Sequence, residues 1–152
     1  MKIEDLLKTS GKISETKRLV LNLIVTANFL SEEMQEVLKP YGISSQQFNV
    51  LRILRGQKGK PANLGTIQER MVSKMSNTTR LVDKLIEKGY CQRITCPSNR
   101  RKVEITITET GQELLKEIDP LVESTENRFS EKLTTKEITD LNNKLNELRN
   151  TN

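Results

Sequence analysis

The sequence predicts a mainly α fold with a small β-hairpin, in a single domain. Apolar residues recur at three-and-four spacing in long stretches towards both ends, as on one face of a helix. Between those stretches the period changes to two, where Val103, Ile105 and Ile107 alternate with Lys102, Glu104 and Thr106. Helix-start residues stand just before the apolar runs, at Ser44, Asn63, Thr108 and Thr134.

The first long helix is predicted from Ile13 to Lys39, with Val20, Leu23, Ile24, Ala27, Leu30, Met34, Val37 and Leu38 on one face, and Pro40 and Gly42 ending it. Ser44 and Gln47 have the spacing of a capping box, in which the Ser side chain accepts an N3 backbone donor and the Gln reaches back. A helix through Phe48, Leu51, Ile53 and Leu54 follows, and the Lys- and Gly-rich segment from Gly56 to Pro61 reads as a polar loop. Asn63 can cap a short helix from Leu64 to about Met71. A tight turn around Val72 to Lys74 leads to a longer helix that ends near Lys88, with Gly89 as its stop. In that helix Met75, Thr78, Leu81, Val82 and Leu85 follow the buried spacing, which leaves Ser76, Asn77, Thr79, Arg80, Asp83 and Lys84 on exposed or flanking positions.

Tyr90 to Thr95 is read as a strand, Cys96-Pro97-Ser98-Asn99 as a turn, and Lys102 to Thr108 as the returning strand. Thr108 can cap a helix that passes Leu114, Leu115 and Ile118 to near Phe129, bent or interrupted at Pro120. The last helix opens at Thr134 or Thr135, where Thr134 and Glu137 form a second capping-box pattern, and carries Ile138, Leu141, Leu145 and Leu148 in a stripe. Such a stripe most often packs on its own domain. Here it lies far in sequence from the central helices and suits a second subunit equally, so dimerisation is expected. Two helices around a tight turn, followed by a hairpin, make a winged helix-turn-helix.

Charge is the second organising feature. Between Ser73 and Lys102, eight cations (Lys74, Arg80, Lys84, Lys88, Arg93, Arg100, Arg101 and Lys102) meet only Asp83 and Glu87, a local balance of +6. The remaining 122 residues hold 17 basic and 18 acidic side chains. A basic helix and hairpin on an otherwise balanced chain suit a polyanion such as double-stranded DNA.

Composition narrows the classes. The 152 residues fit one domain, and 34% hydrophobic against 30% charged residues fits thin helical layers or a core completed by oligomerisation. No run approaches the roughly 20 apolar residues of a membrane span. The segment from Met1 to Ser10, with Glu4 and Asp5, lacks a secretory hydrophobic stretch, so a cytoplasmic protein is expected, with no membrane partner. There is no histidine, which removes the commonest general base and the usual zinc sets; no metal, cofactor or enzymatic activity is expected. Cys91 and Cys96 on one strand would stand on the order of 16 Å apart, beyond disulfide reach. A redox role for Cys96, beside the hairpin tip, is weaker than its reading as a small packing residue.

A recognition helix needs short polar and basic groups near its N-terminus, where side chains can reach base edges and backbone donors meet phosphate. Lys74, Ser76, Asn77, Thr79 and Arg80 meet that demand, and Lys84, further along the exposed face, joins them as a DNA-binding candidate. Asn pairs at two points with adenine and Arg with guanine, so Asn77 and Arg80 are the candidates for direct readout, with Arg80 as a phosphate clamp in the alternative. The hairpin tip Asn99-Arg100-Arg101 puts two long cations on a narrow projection able to enter a minor groove or bracket its phosphates, with Lys102 beside it as a further DNA-binding candidate.

Thr79-Arg80-Leu81-Val82-Asp83-Lys84-Leu85, then Glu87-Lys88-Gly89-Tyr90 and Arg93, resemble the MarR family of bacterial transcriptional regulators. Asn99-Arg100-Arg101 and the run from Val103 to Gly111 are similar to that family's Asp-Arg-Arg wing and the strand leading to its next helix. The resemblance covers almost the whole chain and is most specific at the recognition helix and wing. Asn99 departs from it: the family usually has an Asp there, holding a wing Arg by an ion pair, and an Asn supplies no charge. The resemblance implies one domain over 1–152, with a winged helix-turn-helix over about 45–110 and dimerisation helices over about 13–39 and 109–149. It also implies a homodimer on a pseudo-palindromic operator and control by a small molecule, often aromatic, or by thiol oxidation. Phe29, Tyr41 and Phe48 could line a pocket for an aromatic effector, although aromatics on helical faces are more often core. The leading expectation is a sequence-specific repressor; the alternative is a winged-helix interaction module that binds an acidic protein.

Overall fold

The computed structural model describes residues 2–8 and 11–150, with the side chains of Cys96, Arg100 and Arg101 outside the described residues. Its elements are α1 (Ile3–Leu6), α2 (Glu15–Leu38), α3 (Ser45–Gly56), α4 (Leu64–Arg70), α5 (Thr78–Glu87), β1 (Cys91–Cys96), β2 (Asn99–Ile107), α6 (Glu109–Ser130) and α7 (Thr135–Arg149). This is the expected mainly α fold with an antiparallel hairpin.

The caps explain why the helices start where they do. Ser44, Asn63, Thr108 and Thr134 each accept from the backbone N–H three residues on, and Ser44 and Thr134 complete reciprocal boxes with Gln47 and Glu137. Hydrogen bonds from the Thr134 backbone N–H and hydroxyl hold the Glu137 carboxyl below its usual range. Between α2 and α3 a short 3-10 turn over Lys39–Tyr41 ends at Gly42, whose φ of 66° is left-handed.

The core lies where α3, α4, α5, β2 and the first half of α6 converge. Val50, Leu51, Ile67, Val82, Leu85, Ile105, Leu115 and Ile118 are all fully enclosed there, joined by Leu38 from the end of α2. Ala62 makes a backbone bridge to Ile105 in both directions, at 2.9 and 2.8 Å, so the chain before α4 adds a fragment of strand to the hairpin. Nothing local in the sequence announced that pairing.

The base of the hairpin is clamped to α6. Thr108 donates its hydroxyl to the Gly89 carbonyl at 2.6 Å and its backbone N–H to the Tyr90 carbonyl at 3.0 Å, while its Oγ1 caps α6 at Gly111. A Cβ added at Gly111 would lie 2.3 Å from the Tyr90 carbonyl oxygen and 2.8 Å from Ile107. Only glycine lets the helix approach this closely.

Three expectations change, and one element is new. Pro120 neither ends nor interrupts α6, which runs continuously to Ser130 with Ile118 and Val122 buried on either side of it. The hairpin turn narrows to Pro97 and Ser98, because Cys96 pairs with Asn99 and β2 already begins there, with a register shift between Thr95 and Cys96. Met75, placed by spacing on the buried face, is 95% exposed. The reason is that α5 starts at Thr78, so Met75 lies in the preceding turn and outside the helical register. The short α1 was not anticipated; it holds Ile3 buried, and Glu4 pairs with Arg18 of α2 at 2.6 Å.

Large apolar side chains also remain uncovered. Leu19, Val20, Leu23 and Ile24 on the first half of α2 are 38–52% exposed, and α7 has no buried residue. Only the far end of α2, at Met34, Val37 and Leu38, reaches the core of its own chain.

Candidate nucleic-acid interface

The N-terminus of α5 is built by Asn77. Its amide oxygen accepts from the Arg80 backbone N–H at 3.1 Å, the capping contact that starts the helix. Asn77 is therefore an N-cap, and reading adenine at two points would draw its Oδ1 away from that role. Asn77→Ala is expected to lower the unfolding free energy by about 1 kcal/mol, visible as a shifted denaturant midpoint in the absence of DNA.

The turn before the cap is held from several sides. Val72 donates its backbone N–H to Asn49 at 2.9 Å, Gln68 donates to the Lys74 carbonyl at 2.9 Å, and the Thr78 hydroxyl pairs with Gln68. With that turn fixed, Thr79 and Arg80 project from the first turn of α5 into solvent, and Ser76 is half-buried beside them. Ser44 and Gln46 at the start of α3 line the same groove as Met75, Ser76, Arg80 and Lys84. Sequence reasoning read Ser44 only as a cap and did not consider Gln46; the signal was the position of the α3 N-terminus beside the turn of a helix-turn-helix.

The cations of the basic segment, equal in the sequence, differ in the structure. Arg93 of β1 pairs with Asp83 of α5 at 2.7 Å and ties the hairpin to the helix. The Lys88 ammonium binds the Gly42 carbonyl and joins the end of α5 to the turn before α3. Lys74 turns back to the Glu69 carbonyl near the C-terminus of α4, where a cation is favourable. Lys84 pairs with Glu87 at 2.8 Å, an exposed pair worth about 0–1 kcal/mol and easily exchanged for phosphate, and Lys102 pairs at 3.2 Å with the half-buried Glu104. Among the described residues, the Arg80 guanidinium has neither a carboxylate nor a carbonyl partner. Asn99 is exposed at the first position of β2; the expected roles of Arg100 and Arg101 rest on side chains outside the described residues.

Cys91 is buried and unpaired, and burial pushes its thiol up to about 12, far from a reactive thiolate. Cys96, the other cysteine, has its side chain outside the described residues. The three aromatics considered for a ligand pocket do not come together. Phe48 is core, with the Arg52 guanidinium 5.6 Å from its ring centroid, and Tyr41 packs against the core edge. Phe29 instead shares a cavity of about 310 Å³ with Leu30, Thr125, Arg128 and Phe129, between α2 and the end of α6.

Comparison with known proteins agrees with this arrangement. The sequence pattern of the MarR family matches residues 43–103, from the turn before α3 into the second strand of the hairpin. The transcriptional repressor MprA of Escherichia coli (strain K12) is 30% identical over 91 residues, 60% of this chain and 52% of that one, so the match spans about half the length of that relative. The structure of BpsR from Bordetella bronchiseptica, whose DNA binding is regulated by 6-hydroxynicotinic acid, superposes with a TM-score of 0.80 over 93% of this chain and 100% of that one; at 19% identity this speaks to the fold alone. A MarR transcription factor from Planctomyces limnophilus is 30% identical, with a TM-score of 0.69 over 91% of this chain and 99% of its own. With 30% identity extending over nearly all of a solved relative, and with the pattern covering the helix-turn-helix and the start of the wing, the chain belongs to the MarR family.

Proposed function

We propose that this protein is a sequence-specific regulator of transcription that binds double-stranded DNA as a homodimer on a pseudo-palindromic operator, acting as a repressor. The observation that carries the reading is the exposed face of the first turn of α5, where Thr79 and Arg80, the latter without a charged partner among the described residues, stand beside a hairpin within a segment of net charge +6. Arg80 is assigned to a base edge and Asn77 to the cap. Lys74, Ser76, Thr79, Lys84, Asn99, Arg100, Arg101 and Lys102 are assigned to phosphates and groove walls. A dimer is supported by the uncovered apolar faces of α2 and α7, which a second copy would remove from water. Repression needs only occlusion of a promoter, and MprA is a repressor. No helix is long and apolar enough to cross a membrane, and the reading places the protein with the chromosome in the cytoplasm.

Release by a small aromatic effector belongs to the same proposal. It is supported by the regulation of BpsR by 6-hydroxynicotinic acid and by the cavity lined by Phe29, Phe129 and Arg128.

The test is duplex binding by the full chain over a range of salt concentrations. The logarithm of the affinity should fall linearly with that of salt, with a slope of about −0.9 per neutralised phosphate. A flat dependence sinks the DNA reading, and stable capture of an acidic protein without duplex binding would favour an interaction module.

A further inference from the structure

Met75 is 95% exposed, and Val72 in the same turn is 87% exposed. A lone apolar side chain on an arbitrary surface carries little information. This one stands beside the N-terminus of the helix that presents Arg80, in the groove it shares with Ser76 and Lys84. Its backbone is also fixed. The Lys74 carbonyl before it accepts from Gln68 at 2.9 Å, Ser76 after it donates its N–H to the Ser73 carbonyl at 3.2 Å, and Asn77 then caps α5. A restrained turn thus holds a flexible thioether side chain away from the core, in a groove whose lining apart from Met75 and Leu81 is hydroxyls, amides and cations.

In the major groove the apolar feature that distinguishes one base is the 5-methyl group of thymine. A methionine can follow such a group because it is unbranched and polarisable. We propose that Met75 determines specificity by packing against the 5-methyl of a thymine, in a site adjoining the base pair that Arg80 reads; this rests on the DNA-binding reading above.

The experiment begins with duplexes retained by the full-length protein from a random pool. In the tightest of them each thymine is replaced in turn by deoxyuridine, which lacks only the methyl group. The wild-type protein should lose about fourfold in affinity at one thymine per half-site, the worth of one buried methyl-sized group. Met75→Ala should bind the thymine duplex about as weakly as the wild type binds its deoxyuridine counterpart, and should not respond to that replacement; Met75→Leu should retain the response. Because the side chain is 95% exposed, these variants should unfold as the wild type does. If the wild type tolerates deoxyuridine at every position, or if Met75→Ala responds as the wild type does, the assignment to Met75 is wrong while the DNA reading stands. Retention of no duplex overturns both.

Discussion

Replacing Arg80 with alanine is expected to lower affinity for the selected duplex by about 10- to 100-fold while leaving the unfolding curve unchanged. The separation follows from the geometry. Arg80 is exposed, its guanidinium makes no ion pair with any described residue, and the contact that starts α5 uses only its backbone N–H. Alanine keeps that N–H and is a better helix former, so the fold loses nothing. The salt dependence tells which DNA group Arg80 meets. If it reads a base, discrimination at one position per half-site should relax with an unchanged slope; if it clamps a phosphate, affinity should fall for all sequences and the slope should shrink by about 0.9. Unchanged binding by the Arg80→Ala protein would remove α5 from the interface.

The second large effect should fall on stability. Gly111→Ala is expected to destabilise the protein by about 2 kcal/mol, lowering Tm by roughly 4–8 °C. Two effects compete at this position. Alanine inside a helix is favoured over glycine by about 1 kcal/mol. Against this, the new Cβ would meet the Tyr90 carbonyl oxygen at 2.3 Å, and that obstacle is backbone, already engaged by the Thr108 N–H. Relief requires α6 to move off the hairpin, which disturbs Ile105, Leu115 and Ile118 together. A thermal melt in which Gly111→Ala matched or exceeded the wild type would show that the helix has room to move there.

How far the sequence could be read depended on the range of the interactions involved. The capped starts of α3, α4, α6 and α7 were legible because a cap joins residues three apart. The burial of Leu51, Val82, Leu85 and Leu115 was legible because helical period marks a face. Met75 was misplaced by the same rule, since its spacing to Thr78 has meaning only if the helix has already begun, and Asn77 starts it later. The interruption expected at Pro120 does not occur, because burial on both sides of it prevails over proline's local preference. At the interface the residue types were legible but their partners were not. Lys88 binds Gly42, 46 positions away, and Arg93 binds Asp83 from another element, so no local pattern separates those two from Arg80.

The continuity of α6 has a mechanical consequence. At about 1.5 Å per residue its 22 residues make a rod roughly 33 Å long. One end is keyed to the hairpin through Thr108 and Gly111, and the other lies against α2, where Arg128 pairs with Glu33 at 2.6 Å. α6 therefore joins the α2 contact directly to the base of the hairpin. Proline has no N–H, so at Pro120 the rod lacks a strut between successive turns, just beyond Asp119, whose carboxylate grips Arg55 of α3. The one missing strut that Pro120 causes thus lies beside the ion pair that joins α6 to the helix-turn-helix lobe.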